Sequence, residues 1–97
     1  MEPAPQVERE DHGEAGVYRI AVEGAARDAV LTWRRSGDHR IAEHTFTPPE
    51  ARGRGIAQAL VEALIADARA QGFRIVPACS YVAAQFRRHP EWEPLRA

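Results

Sequence analysis

The chain reads as a single α+β domain: an antiparallel meander of about four strands, then a helix, a strand returning parallel to the one before it, and a second helix. Three observations predict this. β-branched and aromatic runs, separated by glycine-containing turns, fill the first half. Ile56 to Ala70 carries apolar residues at helical spacing. Between them, Pro48-Pro49 ends a strand and Gly53 and Gly55 open the helix. The 97 residues suit one domain, 1–97, with one modest core.

Taken in order, Met1 to Gln6 is expected to be a frayed leader, since it lacks the basic and apolar regions of a signal peptide. Gln6 to Asp11 is a short strand whose charges suit an exposed edge. Val17 to Glu23 alternates, with Tyr18, Ile20 and Val22 on one face. Asp28 to Arg35 holds the run Val30-Leu31-Thr32-Trp33, and Ser36-Gly37-Asp38 signals a hairpin into Arg40 to Thr47. Short loops imply antiparallel neighbours.

In the helix after Gly55, Ile56, Leu60, Val61, Leu64, Ile65 and Ala68 share a face, while Gln58, Glu62 and Asp67 point away. Gly72 stops it. Phe73 to Ala78 is a buried strand reached by a right-handed crossover. Ser80 is expected to cap a helix from Tyr81 to about His89, with Val82, Phe86 and Ala83 toward the sheet and Pro90 closing it. Trp92 and Leu95 are expected to tuck against the core.

Composition excludes several function classes. A net charge of −1 argues against nucleic acid as a partner. No apolar run approaches the roughly 20 residues that span a bilayer, so no membrane partner is expected. His12, His39, His44 and His89 lack metal-ligand spacing, and no metal is expected. One cysteine makes no internal disulfide, so a reducing cytoplasm is the expected compartment.

The turn Arg52-Gly53-Arg54-Gly55-Ile56-Ala57 carries the chemistry. The first amides of a helix have no intrahelical acceptor, and the helix dipole puts about half a positive charge there. Gly53 and Gly55 let an anion approach the backbone, and Arg52 and Arg54 add charge. A plain connector with solvated arginines is the competing reading. A nucleotide P-loop does not fit, because Ile56-Ala57 follows Gly55 and the chain has no lysine. A dinucleotide fingerprint fails for want of a third glycine and of an acidic residue after the next strand.

Arg52, Gly55 and Ala57 fill an Arg-x-x-Gly-x-Ala loop between strand and helix, and this resembles the Gcn5-related N-acetyltransferase superfamily. The resemblance runs from about Val17 onward. It is closer to a subgroup of short, single-domain members, through His44-Thr45-Phe46-Thr47-Pro48-Pro49-Glu50, Cys79-Ser80-Tyr81-Val82 and Arg87-Arg88-His89-Pro90-Glu91. It implies a truncated acetyltransferase-like fold. It also implies acetyl-coenzyme A as co-substrate, with its pyrophosphate on the amides from Gly53 to Ala57. The pantetheine arm would lie against main-chain groups around Thr47, in the splay between that strand and Phe73 to Ala78.

The acceptor implied is a small amine or a peptide amine. The chain departs from larger members in two ways. The helix pair and final two strands that build much of the acceptor site do not fit in 97 residues, so a homodimer or partner protein is expected to complete the site. Arg87 stands where larger members often carry a tyrosine that protonates the departing thiolate. A coenzyme-A-binding or sensing module without turnover is therefore the alternative to an N-acetyltransferase.

Two residues are candidates for catalysis. Cys79 lies where a strand ends and a helix begins, a position that lowers a thiol's pKa, and it can act as nucleophile or proton donor. It can equally be an inert core residue. His44, on the strand leading into the turn, offers an imidazole to the cleft, and it can equally be a surface or partly satisfied strand histidine. Simple alternation puts Glu43 on the opposite face from His44. Tyr81 is read as shaping the cleft, and Trp33 and Trp92 as core or rim.

Overall fold

The computed structural model describes residues 6–97. The expected leader lies outside them except for Gln6. Five strands form one sheet in sequence order: β1 Glu8–Asp11, β2 Ala15–Ile20, β3 Ala29–Ser36, β4 His39–Phe46 and β5 Arg74–Pro77. The first four pair antiparallel and β5 pairs parallel to β4. The crossover is helix α1, Ile56–Gln71, and helix α2, Ser80–Arg88, follows β5. Short 3-10 segments at Pro49–Ala51 and Pro90–Leu95 complete the order. This is the expected α+β arrangement.

Both helices cover one face of the sheet. Tyr18, Ile20, Leu31, Trp33, Ala42 and Ile75 from the strands share one cluster with Leu60, Val61, Leu64 and Ile65 of α1 and with Val82 and Phe86 of α2. Trp92 closes it, edge-on to Phe86 with ring centroids 5.6 Å apart. On the other face, Val17, Val30, Thr32, Ile41 and Val76 are only half-buried. Gly72 ends α1 as expected, donating its amide to the Ala68 carbonyl at 2.9 Å. Among the described residues, no helix is long and apolar enough to cross a membrane.

Several expectations need correction. β2 stops at Ile20 and leaves Val22 and Glu23 outside the strand. The cap of α2 is Cys79, and Ser80 is its first helical residue. Asp67 does not face away from the protein. Its Oδ2 accepts from the Tyr18 hydroxyl at 2.8 Å and from Arg9 Nε at 2.9 Å, tying α1 to β1 and β2. Burial, then this contact with the carboxylate, pushes the Tyr18 hydroxyl pKa well above its usual value.

Nor do Glu43 and His44 lie on opposite faces. The β3–β4 register pairs Thr32 with His44 but Trp33 with Ala42, so Glu43 is the extra residue of a bulge. Paired residues share a face, which sends His44 outward with Thr32. Glu43 also points outward, where its carboxylate meets Arg34 at 3.2 Å.

Close packing also fixes a glycine. Gly16 sits opposite Trp33 in the ladder, and a methyl group there would run into the indole ring and the Glu10 carbonyl. Neither neighbour can yield, because the ring is buried and the carbonyl is backbone. Gly16→Ala is therefore expected to cost about 1–3 kcal/mol. A thermal melt should fall by roughly 4–8 °C for each kcal/mol at this chain length. An unchanged melting temperature would mean that the Trp33 ring is free to move.

Candidate functional site

A cleft opens where β4 and β5 part. Their ladder runs from His39 opposite Arg74 to Ala42 opposite Pro77 and ends there. Pro77 has no N–H to donate, which suits it to a strand end. The last rung is the Cys79 amide, donating to the Ala42 carbonyl at 2.9 Å before the chain turns into α2. β4 continues to Phe46 with β3 alone beside it. Among the described residues, its other edge from Glu43 onward has no strand neighbour.

The cleft holds about 350 Å³, within the size range of small-molecule sites. One wall is Thr45 and Thr47 of the β4 end, with Arg52, Gly53, Gly55, Ile56 and Ala57 of the turn and Gln58 of α1. The other is one stripe of α2, Tyr81, Gln85 and Arg88, spaced so that a helix presents them together. Of the turn residues singled out from sequence, Arg54 alone does not line the cleft.

The turn has the geometry that its glycines imply. Buried Ala51 anchors the short 3-10 segment under it. Gly53 and Gly55 then take φ of 78° and 75°, the left-handed region that side chains disfavour. Gly55 is the N-cap of α1 and supplies no side-chain cap. Residues 52–55 form a turn, but among the described residues the amides from Gly53 to Gln58 make no main-chain hydrogen bond of good geometry, and the ladder of α1 begins with Ala59 donating to Gly55. A run of such donors beside a cleft is a ready anion site. Arg52 and Arg88 line the same cleft, and neither joins an ion pair among the described residues.

Cys79 is half-buried and does not itself line the cleft; its sulfur lies 3.4 Å from the hydroxyl of Thr45, which does. Burial pushes the thiol's pKa up. The Thr45 hydroxyl and the amides of Val82, Tyr81 and Thr45 outweigh that effect, and the net shift is downward. Val82 and Tyr81 belong to the first turn of α2, so the sulfur occupies the place of an N-cap acceptor without closing a regular cap hydrogen bond. The structure does not bring His44 to Cys79: Thr45 faces the helices with Leu31, while His44 faces outward with Thr32. Tyr81 lines the cleft, and burial raises its hydroxyl's pKa.

Sequence reasoning missed Gln85. It is only 4% exposed, yet it reaches the cleft. Its spacing from Tyr81, four residues, was the available signal. Thr45 was quoted for its motif, but its contact with Cys79 depends on the bulge, which no local pattern announces.

A family model described as GCN5-related N-acetyl-transferase matches residues 17–95. The match runs from Val17 within β2 to the end of the final 3-10 segment, and so takes in the whole cleft.

The thiol's surroundings give a direct test. The thiolate is the form that reacts with alkylating agents. A depressed pKa therefore moves the rise of the alkylation rate to lower pH than for an ordinary thiol, near 8.5. Thr45→Val removes one donor and should return the midpoint part of the way upward. Iodoacetamide labelling of the single cysteine across pH 5–10 reads both midpoints. Identical curves for the two proteins would show that Thr45 does not tune the sulfur.

Proposed function

The chain belongs to the GCN5-related N-acetyltransferase family, a family of acetyl transfer, and we propose that it binds acetyl-coenzyme A in this cleft and passes the acetyl group to a small amine or a peptide amine. The observation that carries the reading is the run of unpaired amides from Gly53 to Gln58 at the cleft's edge. In this reading those amides receive the pyrophosphate, with the cleft-lining Arg52 beside it. Thr47 and the free edge of β4 receive the pantetheine arm, which can pair with main-chain groups that no strand occupies.

Cys79 is then the nucleophile. Its lowered pKa favours the thiolate, which is the attacking form, over a proton-donating thiol. The thiolate attacks the thioester carbonyl, the carbon–sulfur bond to the coenzyme breaks, and the coenzyme leaves as its thiolate. The amine attacks the acetylated Cys79 and releases the cysteine thiolate again. His44 lies on the outer face, away from the sulfur, so in this step the proton that the amine loses passes to water and not to His44. A second copy or a partner protein completes the acceptor site.

One observation favours a second reading, a coenzyme-A-binding or sensing module. Arg87 is exposed at the position where a thiolate-protonating tyrosine would be expected.

Calorimetric titration with coenzyme A tests the site. Wild type should bind, and Gly55→Glu should bind at least tenfold more weakly. It sets a carboxylate against the pyrophosphate and forces a side chain into left-handed backbone. Equal affinities would remove the pyrophosphate from this turn. Turnover is tested separately, by following acetyl-coenzyme A consumption with a panel of amines. Cys79→Ala should reduce kcat by two orders of magnitude or more, on the scale of losing a covalent catalyst, with coenzyme affinity unchanged. Tight binding without consumption of any amine would favour the sensing module.

A further inference from the structure

Gln85 is the least expected polar group in the core. It stands on α2 between the buried Val82 and Phe86 faces, and only 4% of its surface is exposed. That remnant opens into the cleft, on the same stripe as Tyr81 and Arg88. Among the described residues its carboxamide makes no side-chain hydrogen bond. Among the described residues His39 Nδ1 is the one fully buried side-chain polar atom without a partner, so the Gln85 carboxamide keeps contact with solvent through the cleft. A glutamine that makes no structural side-chain bond and opens only into a ligand cleft is placed to pair with the ligand.

The chemistry of that partner can be read from the group itself. A carboxamide is neutral and both donates and accepts. Its complement is another neutral amide, which offers one N–H and one C=O. A phosphate has no donor to satisfy the Gln85 oxygen, and its charge already has the unpaired amides and Arg52 on the facing wall. We propose that Gln85 is the specificity-determining side chain for the amide-bearing arm of the co-substrate, pairing its carboxamide with a secondary amide between the anionic end and the thioester. This rests on the proposed binding of a coenzyme A thioester and adds a residue that reads the arm.

Gln85→Leu keeps most of the volume and removes both hydrogen-bonding groups. Titration of wild type and Gln85→Leu with two probes isolates the arm. Coenzyme A carries it, while adenosine 3′,5′-bisphosphate has the nucleotide and phosphates without it. Coenzyme A should bind the variant about tenfold more weakly, the scale of one or two lost hydrogen bonds. The bisphosphate should bind both proteins alike, and the unliganded variant should melt no lower than wild type.

Equal coenzyme A affinity would overturn the assignment while leaving the proposed function standing. So would a parallel loss for both probes, or a lower melting temperature for the unliganded variant, since either marks Gln85 as structural. If wild type binds neither probe, the cleft reading and this assignment fall together.

Discussion

The parting of β4 and β5 beyond Ala42 is the constraint on which the rest of the site depends. Paired along their full length, the two strands would leave no free main-chain edge and no gap for a ligand. Two local features hold them apart. The Glu43 bulge bends β4 while it stays bonded to β3. Pro77 ends β5, and the Cys79 amide then takes the Ala42 carbonyl as its last rung. That single bond also fixes the sulfur at the start of α2 and beside Thr45.

A cleft of this kind needs its other end to be rigid, and the closed end of the sheet is. The Arg40 guanidinium lies between two rings, 3.9 Å from the Trp33 ring and 4.0 Å from the Phe73 ring, with the side chain almost fully buried. It reaches Gln71 at 3.2 Å and Asp11 at 3.4 Å, joining β1, the end of α1 and the start of β5 to β4. Stacking of a desolvated guanidinium contributes about 2 kcal/mol or more per face, which helps to offset burying the charge. The C-terminal residues protect the sheet's edge, with Ala97 donating to the Ile75 carbonyl at 2.8 Å and Arg96 bridged to Ile75. Strand order is thereby held firm where β4 and β5 touch, and opening is confined to where they do not.

Much of this was legible in the sequence because it is encoded locally. The apolar spacing from Leu60 to Ala68 gave the buried face of α1, Gly72 gave its end, and Gly53 and Gly55 gave the turn. What was not legible depends on partners far apart in the chain. Asp67 looks like a solvated helix residue until Tyr18 and Arg9 are brought to it. Glu43 and His44 obey alternation until a bulge absorbs one residue. Ser80 is the better capping type, but Cys79 takes the cap because its amide is committed to Ala42 and the helix must begin one residue later. Gln85 reads as an ordinary polar position, since its burial depends on tertiary packing that no local pattern announces.

The order of groups along the cleft bears on the kind of ligand it can accept. Main-chain donors and arginine lie at the turn, and Thr47 follows at the adjacent end of β4. Thr45 lies two residues farther back, beside the sulfur of Cys79. The two steps of chain from Thr47 to Thr45 span about 7 Å at the usual rise per residue. A ligand that satisfies the turn and also reaches the thiol must therefore extend past Thr47, with its anionic end at the turn. A compact phosphorylated metabolite would occupy the turn and leave the thiol untouched. In the proposed function, a pyrophosphate joined to an amide-bearing thioester would place its anionic end at the turn and its arm along Thr47 and Thr45. That match extends over more of the cleft than the turn alone could specify.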